Sequence, residues 1–278
     1  HTVEMVMQSI ALHDTVRVTT IHGEKKPRGI VLSCSLPFLP TDERNLAYRA
    51  AELFYKETGA LLETCEIHIE KRIPVAAGLA GGSTDAAAAL NALHTAGLTD
   101  DELCEMGLKL GADVPFCLRG GTMLAQGIGE ELSLLPDMPH CWVVLCKPPF
   151  AVPTKEVYQE IDSVDILEHP DNKGMMAALN QGDYEGVCAY LSNVMETVTA
   201  AKRRQIGEIK SFLAENGADG TLMSGSGPTV YGLFSDESRA KTAAKMLRRR
   251  FADILHRVVQ VKHLPAAPQL PPDRLVQI

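Results

Sequence analysis

The chain has 278 residues, which at ~150 residues per domain predicts one large domain or two modest ones. Hydrophobic residues make up 45% and charged residues 22%, a balance typical of globular proteins and unlike disordered or fibrous ones. Because 27 Lys and Arg stand against 35 Asp and Glu, the formal net charge is −8, which argues against non-specific nucleic-acid binding through a broad basic face. An anionic small-molecule substrate is still compatible, since a few backbone amides bind phosphate locally.

Cysteine usage and hydropathy indicate the compartment. The 7 cysteines are an odd number without a C-x-x-C pair, which favours free thiols in a reducing, cytoplasmic setting. Cys141 and Cys146 flank an apolar run and are predicted to be buried thiols. No apolar run approaches the ~18 residues of a membrane span, and no signal segment opens the sequence, so we expect no membrane partner. The histidines lack metal-ligand spacing, so no protein metal cage is expected.

In the first half of the chain, apolar periodicity predicts strands and helices that alternate around a small-residue loop. His13-Asp14 reads as a turn, and Thr99 opens a helix with a capping box. Strands are predicted at 3–8, 16–18 and 65–73, helices at 41–59, 83–97 and 99–111, and loops or a hairpin around the glycines at 120–129.

A second block begins near residue 140 and mixes the same element types. Strands are predicted at 142–145, 222–223, 229–234 and 258–261, and helices at 155–161, 173–180, 184–198, 203–216 and from the Ser235 cap to about 254. The mixture predicts an α+β protein in two layers, divided into domains at 1–139 and 140–278.

The loop from Pro74 to Asp85 carries the strongest chemical signal. Its glycines let the backbone approach a ligand closely, and the helix expected from about Ser83 presents unpaired N–H groups and the positive end of its dipole. Ser83 and Thr84 could donate hydroxyls to phosphate or hold a magnesium ion. The spacing is neither a Walker A loop nor a dinucleotide fingerprint. The alternative is a tight strand-to-helix turn in which glycines only permit packing.

Two further segments are weaker candidates. Asp113 follows one helix and precedes an apolar run, so its carboxylate could be partly desolvated and accept a hydroxyl proton, or it could simply cap its own turn. The small residues at 224–228 lie between two strands, where they form either a plain hairpin turn or a backbone wall against a substrate or the phosphate loop.

Taken together, these segments resemble the GHMP small-molecule kinases. The resemblance rests on Pro74-x-x-x-Gly78-Leu79-Ala80-Gly81-Gly82-Ser83-Thr84-Asp85, on Met223 to Thr229, and on the segments at 45–47, 111–116 and 153–158. The Ala80-Gly81-Gly82 variant followed by Asp85 is similar to the members that phosphorylate a methylerythritol linked to cytidine diphosphate, on a non-mevalonate route to isoprenoids. The resemblance implies an ATP-binding N-terminal domain of the ribosomal protein S5 domain 2-like type and a ferredoxin-like C-terminal domain, with the site between them.

The resemblance also implies a role for individual residues, with ATP and Mg²⁺ as cofactors and the 2-hydroxyl of the erythritol as phosphoryl acceptor. Asp113 would take or orient the hydroxyl proton, and Asn45 would lie near the adenosine. Tyr158 would stack on the cytosine, His1 would recognise the cytidine, and Thr154 would line the same pocket. The loop residues expected to wrap the ATP phosphates are Pro74, Val75, Ala76, Ala77, Gly78, Leu79, Ala80, Gly81, Gly82, Ser83 and Thr84.

The sequence departs from this family at its start. Members begin with a strand of the form A-K-I-N-L, whose Lys works beside the catalytic Asp, and then a Gly-Tyr-His; the numbering here starts at that His. We therefore expect the first strand to be missing from the numbered chain. Two other functions remain open: a related kinase for mevalonate, homoserine or a sugar, and a non-catalytic ligand-binding relative. The protein is expected to be a monomer or homodimer.

Overall fold

The computed structural model describes residues 1–21, 29–61, 64–94, 97–166 and 169–263. Its strands are β1 (Met5–Gln8), β2 (Thr15–Ile21), β3 (Gly29–Cys34), β4 (Thr64–Glu70), β5 (Thr122–Gln126), β6 (Glu131–Leu134), β7 (Trp142–Lys147), β8 (Gly220–Met223), β9 (Val230–Phe234) and β10 (Leu255–Gln260). Its helices are α1 (Leu46–Thr58), α2 (Gly81–Leu93), α3 (Asp100–Leu110), α4 (Val114–Arg119), α5 (Thr154–Ile161), α6 (Asn172–Gln181), α7 (Tyr184–Ala189), α8 (Val194–Lys202), α9 (Arg204–Glu215) and α10 (Glu237–Arg250).

The first layer is a three-stranded sheet in the order β2-β4-β3, with α1 and α2 packed against it and α3 and α4 packed against those two helices. Strand β4 pairs antiparallel with β2 and parallel with β3. The core of this layer is rich in alanine, and Ala86, Ala87 and Ala89 of α2 are almost fully buried. Because these side chains are small, α1 and α2 approach closely, and this contact fixes where α2 begins.

The second layer is a four-stranded antiparallel sheet in the order β10-β7-β9-β8, with α9 and α10 on one face. Along the chain, its elements follow the pattern strand, helices, strand, strand, helix, strand, which is the ferredoxin-like arrangement. The predicted ferredoxin-like domain is therefore present. The core on this face contains Val144, Leu213, Phe234 and Leu247, all fully or almost fully buried.

A third, smaller sheet joins β1, β5 and β6 in that order, and the predicted hairpin at 120–129 is its β5–β6 connection. A bridge between Ile10 and Val261, together with the bond from the Lys262 amide to the Ser9 carbonyl (2.8 Å), connects the region after β1 to the region after β10. The third hydrophobic cluster accordingly draws side chains from both halves of the sequence, including Val6 and Val143.

The structure corrects several element predictions. Strand β3 and helix α4 were not predicted, and α2 begins at Gly81 instead of about Ser83. The helix predicted over 184–198 is divided into α7 and α8, because Asn193 leaves the helical conformation and caps α8 by accepting a bond from the Met195 amide (2.9 Å). The cap predicted at Ser235 is instead Asp236, whose side chain accepts from the Arg239 amide.

Candidate active site

The predicted phosphate loop adopts a strained, tightly held conformation. Ala76 and Ala80 both have φ of 51°, in the left-handed region that residues other than glycine seldom occupy. Two such residues within five positions persist only when the surrounding structure fixes them, and such strain clusters at ligand sites. The loop is thus more than an ordinary connection between a strand and a helix.

The first turn of α2 has no side-chain cap. Ala80 stands at the N-cap position, where it has no side-chain oxygen that could accept a bond from the amides of the first turn. The hydroxyl of Thr84 points back and donates to the Ala80 carbonyl at 3.0 Å. Gly82 is exposed and Ser83 is half-buried, so the uncapped amides and the helix dipole face an open region. A helix start of this kind is able to bind an anion.

The turn at 224–228 lies directly against this loop. The Ser224 hydroxyl donates to the Gly78 carbonyl at 2.7 Å, and the Thr229 amide donates to the Ala77 carbonyl at 3.3 Å. A Cβ atom added to Gly78 would lie 2.6 Å from the Ser224 carbonyl oxygen and 2.8 Å from that of Gly227. Of the two interpretations of this turn, the backbone wall against the phosphate loop is therefore confirmed.

Asp113 stands at the N-cap position of α4, but its side chain makes no capping bond. The capping alternative is therefore wrong, since the carboxylate is not used by its own turn. Burial raises the pKa of Asp113 above the ordinary value. The Asp113 carboxylate also contributes, after burial, to the raised pKa of Tyr158 and of the Cys117 thiol, which lies 3.5 Å from the Thr84 hydroxyl. The helix α4, which Asp113 precedes, packs against α2, and the Thr84–Cys117 contact lies between these two helices.

Tyr158 and His1 lie together, as predicted for residues of one pocket. Their rings stack with centroids 4.7 Å apart and planes inclined by 20°. The His1 Nε2 atom lies 2.8 Å from an Asp162 oxygen. Tyr158 belongs to α5, whose first residue, Thr154, shares a 2.8 Å hydrogen bond with the Ser226 hydroxyl of the turn. Thr154 therefore connects the helix that carries Tyr158 to the wall of the phosphate loop.

The side chain of Asn45 forms hydrogen bonds with the protein backbone. It caps α1 by accepting from the Ala47 amide at 3.0 Å, while its own amide donates to the Pro40 carbonyl at 2.9 Å. The next residue, Leu46, lies 3.4 Å from the position of a Cβ on Gly82. The start of α1 is therefore close to the phosphate loop.

A cavity of about 560 Å³ borders the beginning of the loop, and the sequence did not reveal it. Pro74 and Val75 form one wall, and Leu36 and Phe38, from the connection between β3 and α1, form another. Phe38 is 71% exposed, which is unusual for so large an apolar ring. The cavity is the size of a small-molecule site and lies beside the predicted anion site.

A buried ion cluster below the loop was also missed. The Lys71 ammonium binds both Asp14 and Asp85, the latter at 2.7 Å. Burial raises the pKa of Asp85 to about 7 although the nearby ammonium acts in the opposite direction. Burial disfavours the charged form of Lys71, and the two carboxylates outweigh it, so the pKa of Lys71 is raised. The sequence signal is poor, because Lys71 stands between Glu70 and Arg72 in what looks like an exposed charged run.

Within the described ranges, no group of three His, Cys, Asp or Glu side chains could hold a metal ion by itself. Across the same ranges, none of the helices combines the length and apolar character needed to span a membrane. All seven cysteines are free thiols, and Cys141 and Cys146 are buried as predicted.

Comparison with known proteins identifies the family. Residues 45–121 match the GHMP kinases N terminal domain, and residues 175–253 match the GHMP kinases C terminal family. A protein from Clostridium botulinum, 4-diphosphocytidyl-2-C-methyl-D-erythritol kinase, is 44% identical over 257 residues, covering 91% of this chain and 90% of the relative. The enzyme of the same name from Enterococcus faecalis is 46% identical over 244 residues, covering 87% and 84%.

Solved structures agree with this assignment. The crystal structure of a 4-(cytidine 5'-diphospho)-2C-methyl-D-erythritol kinase superimposes with a TM-score of 0.76 at 31% identity, covering 94% of this chain and 90% of that one. A homoserine kinase from Cytophaga hutchinsonii has a TM-score of 0.74 at 17% identity, covering 94% and 95%, and shows that the fold is shared. The chain therefore belongs to the GHMP kinases, which are ATP-dependent phosphotransferases, and within them to the 4-diphosphocytidyl-2-C-methyl-D-erythritol kinase family.

Proposed function

We propose that this chain transfers the γ-phosphoryl group of ATP to the 2-hydroxyl of 4-diphosphocytidyl-2-C-methyl-D-erythritol. The observation that carries the proposal is the uncapped start of α2, held by the turn at 224–228, in a helix that packs against α4, where the Asp113 carboxylate makes no capping bond. The identity of 44% to the Clostridium botulinum relative supports the choice of alcohol. Phosphoryl transfer needs mainly positioning and charge stabilisation, which such a site provides.

In this proposal, the loop from Pro74 to Thr84 surrounds the ATP phosphates. The amides at the start of α2 and the helix dipole stabilise their negative charge. The base and ribose are assigned to the cavity bordered by Phe38 and Pro74, and Asn45, at the start of α1, is assigned to the adenosine end of the site. The net charge of −8 does not oppose nucleotide binding, because the attraction is local to these amides.

Asp113 is proposed to accept or orient the proton of the attacking hydroxyl. Its carboxylate is half-buried and makes no bond with its own turn, so it is available to a substrate. Because burial raises the pKa of Asp113, its ionised carboxylate binds a proton more strongly than that of an exposed aspartate, which suits a general base.

Mg²⁺ is proposed as the companion of ATP. Hard oxygen donors suit this ion, which is usually held by one or two protein groups together with substrate phosphates. The half-buried Ser83 hydroxyl at the anion site is such a donor, and the lack of a cage among the described side chains fits an ion that arrives with the nucleotide. When bound, the ion would neutralise charge on the phosphates.

The cytidine end is assigned to Tyr158, His1 and Thr154. The stacked rings of His1 and Tyr158 show that a planar group fits on the Tyr158 ring, which is what a cytosine requires. Thr154 has its hydroxyl on Ser226, so its contribution would be to orient α5 beside the phosphate loop. In this proposal ATP lies mainly against residues 1–139 and the alcohol mainly against residues 140–278, with His1 on the alcohol side and Lys147, Pro148 and Pro149 bordering the cavity on the ATP side.

The test is an assay of ADP release from Mg·ATP with a panel of alcohols: the cytidine-linked methylerythritol, mevalonate, homoserine and a hexose. We expect ADP only with the first. ADP release with mevalonate, homoserine or the hexose instead would assign the chain to another reaction of its superfamily, and ligand binding without any ADP would assign it to the non-catalytic alternative. Sedimentation of the same sample distinguishes monomer from homodimer. The free thiols support a reducing, cytoplasmic setting.

A further inference from the structure

Lys71 carries a buried ammonium group that the proposed chemistry does not use. Its side chain is 4% exposed, and those of its two partners, Asp14 and Asp85, are 1% and 7% exposed. The ammonium donates to a carboxylate oxygen of each partner and to the Gly81 carbonyl at 3.4 Å. We call these three charged residues the Lys71 cluster.

The Lys71 cluster joins three segments that are distant in the sequence. Asp14 immediately precedes β2, Lys71 immediately follows β4, and Asp85 lies in the second turn of α2. Asp14 also accepts hydrogen bonds from the backbone amides of Arg72 and Ile73, the latter at 2.8 Å. The cluster therefore fixes both the point where the chain enters the phosphate loop and the helix into which the loop leads.

Its contact with Gly81 reaches the phosphate site itself. Gly81 is the first residue of α2, and the strained Ala80 precedes it. A Cβ on Gly81 would lie 3.0 Å from the Ile73 side chain and 3.5 Å from the Lys71 ammonium. The first turn of α2 thus contacts the Lys71 ammonium through the Gly81 carbonyl. A displacement of Lys71 should therefore also displace the backbone amides of that turn, which are proposed to bind phosphate.

Stability alone does not account for this arrangement. Two carboxylates and one ammonium are removed from water, and such ion clusters contribute little net stability because desolvation opposes their attraction. One Asp85 oxygen is buried without a hydrogen-bond partner in the described part of the chain, which adds a further cost. A role in holding the loop for its ligand explains why the cost is tolerated.

We propose that Lys71 is a positioning residue of the ATP site, which holds the first turn of α2 so that its amides face the triphosphate. The inference rests on the proposed function, because it assigns ATP to that turn. Loss of the ammonium would leave two buried carboxylates facing each other and would release Gly81, so nucleotide binding would weaken while the alcohol pocket would be unaffected.

The experiment compares Lys71→Met with Lys109→Met, a control that removes a lysine paired with Glu57 on the surface. Calorimetry measures the Kd of Mg·ADP, and steady-state assays measure KM for ATP and for the alcohol. For Lys71→Met we expect the Kd for ADP and the KM for ATP to rise at least about tenfold, as for loss of a bond to a charged group, with KM for the alcohol within about twofold. The control should change neither.

A purely structural role predicts a different outcome: a smaller active fraction, hence lower apparent kcat, with both KM values and the Kd for ADP unchanged. That result would overturn the inference. If Lys71→Met fails to fold, Lys71→Met/Asp85→Asn removes one of the two carboxylates and leaves Asp14 bound to the backbone amides of Arg72 and Ile73, which should restore folding. This variant should still bind ADP weakly, and wild-type affinity in it would equally overturn the inference. Because the ADP measurement needs no alcohol, it distinguishes failure of this inference from failure of the proposed reaction.

Discussion

The Ser224 hydroxyl donates a 2.7 Å hydrogen bond to the carbonyl oxygen of Gly78, so the two glycine-rich segments of the chain are joined at a position with no room for a side chain. The two segments are separated by about half the sequence, and this contact makes them one surface. A side chain introduced at Gly78 has no space and should therefore disturb this surface.

Gly78→Ala should damage the site through backbone geometry. The new Cβ would meet two carbonyl oxygens at less than 3 Å, and φ of 70° is unfavourable for alanine, so we expect a stability loss of about 1–3 kcal/mol. We also expect the displaced loop to bind ATP more weakly. A loss of about 1.4 kcal/mol in binding free energy would raise KM for ATP about tenfold. Thermal unfolding and steady-state kinetics measure both.

The matched control is Gly207→Ala in α9, where a Cβ meets nothing within 4 Å. This variant should be neutral or more stable by up to about 1 kcal/mol, as expected for alanine in a helix. Equal behaviour of the two variants would show that the contact at Gly78 is unimportant.

Asp113→Asn should separate activity from stability. If Asp113 handles the hydroxyl proton, kcat should fall by about 100-fold to 10,000-fold, the usual range for a general base. Because its folded pKa is raised, ionisation of this carboxyl costs stability, and the cost grows as pH rises from the ordinary pKa through the folded pKa. The asparagine variant should therefore melt at a higher temperature than wild type above that window and equally below it.

The same raised pKa sets the acidic limb of the activity. Since the base must be ionised, kcat should decline, as pH falls, at a higher pH than for an exposed aspartate. A pH profile of kcat with ATP saturating measures this limb. If Asp113→Asn keeps wild-type turnover at all pH values, Asp113 does not handle the hydroxyl proton.

Tyr158→Ala should affect only the alcohol substrate. A base stacked on an aromatic ring contributes about 1–3 kcal/mol, so KM for the cytidine-linked alcohol should rise about tenfold or more, with KM for ATP unchanged. Tyr158→Phe keeps the ring and should behave as wild type. If Tyr158→Ala leaves KM for the alcohol unchanged, the substrate is one without a cytosine, as expected for a mevalonate or homoserine kinase.

Asn193→Ala should destabilise the turn at 224–228. The Asn193 amide donates to the carbonyls of Met223 and Gly225, both at 2.8 Å, and its oxygen caps α8. Loss of a cap and of these bonds should lower the free energy of unfolding by about 1–3 kcal/mol. Urea titration measures it, with Asn180→Ala as control, because the Asn180 amide bonds only within its own helix in the described structure. Equal losses in the two variants would contradict this role.

The sequence predicts those parts of the site that depend on local chemistry. The capping box at Thr99, the hairpin at the glycines of 120–129 and the strand–turn–strand at 220–234 have short-range signals, and the structure contains all three. The family resemblance then adds the long-range pairing of the two glycine-rich segments. Neither source predicts that the side-chain oxygen of Asn45 caps α1 while its side-chain nitrogen donates to the Pro40 carbonyl.

The parts that could not be predicted depend on tertiary contacts. Asp14 looks like a turn residue, and Lys71 like one of three exposed charges; only folding brings them together. Strand β3 alternates between more buried and exposed residues from 30 to 34, but its exposed Val31 is apolar, so the sequence shows no period of two. The strand is stabilised by parallel pairing with β4. The cavity beside Phe38 is likewise formed by segments from five regions of the chain.

The bridge from Ile10 to Val261, with the adjacent backbone bonds of Ala11 and Lys262, ties the opening strand region to the closing one. As a result, the two halves of the sequence share a third hydrophobic cluster in addition to the core of each half: Val6 and Met138 lie in one cluster with Val143 and Leu233. A fragment that stops at residue 139 would expose this shared interior to water, and so would its complement. Each half should accordingly be less stable as a separate fragment than within the whole chain, and mixing the two fragments should recover part of that stability.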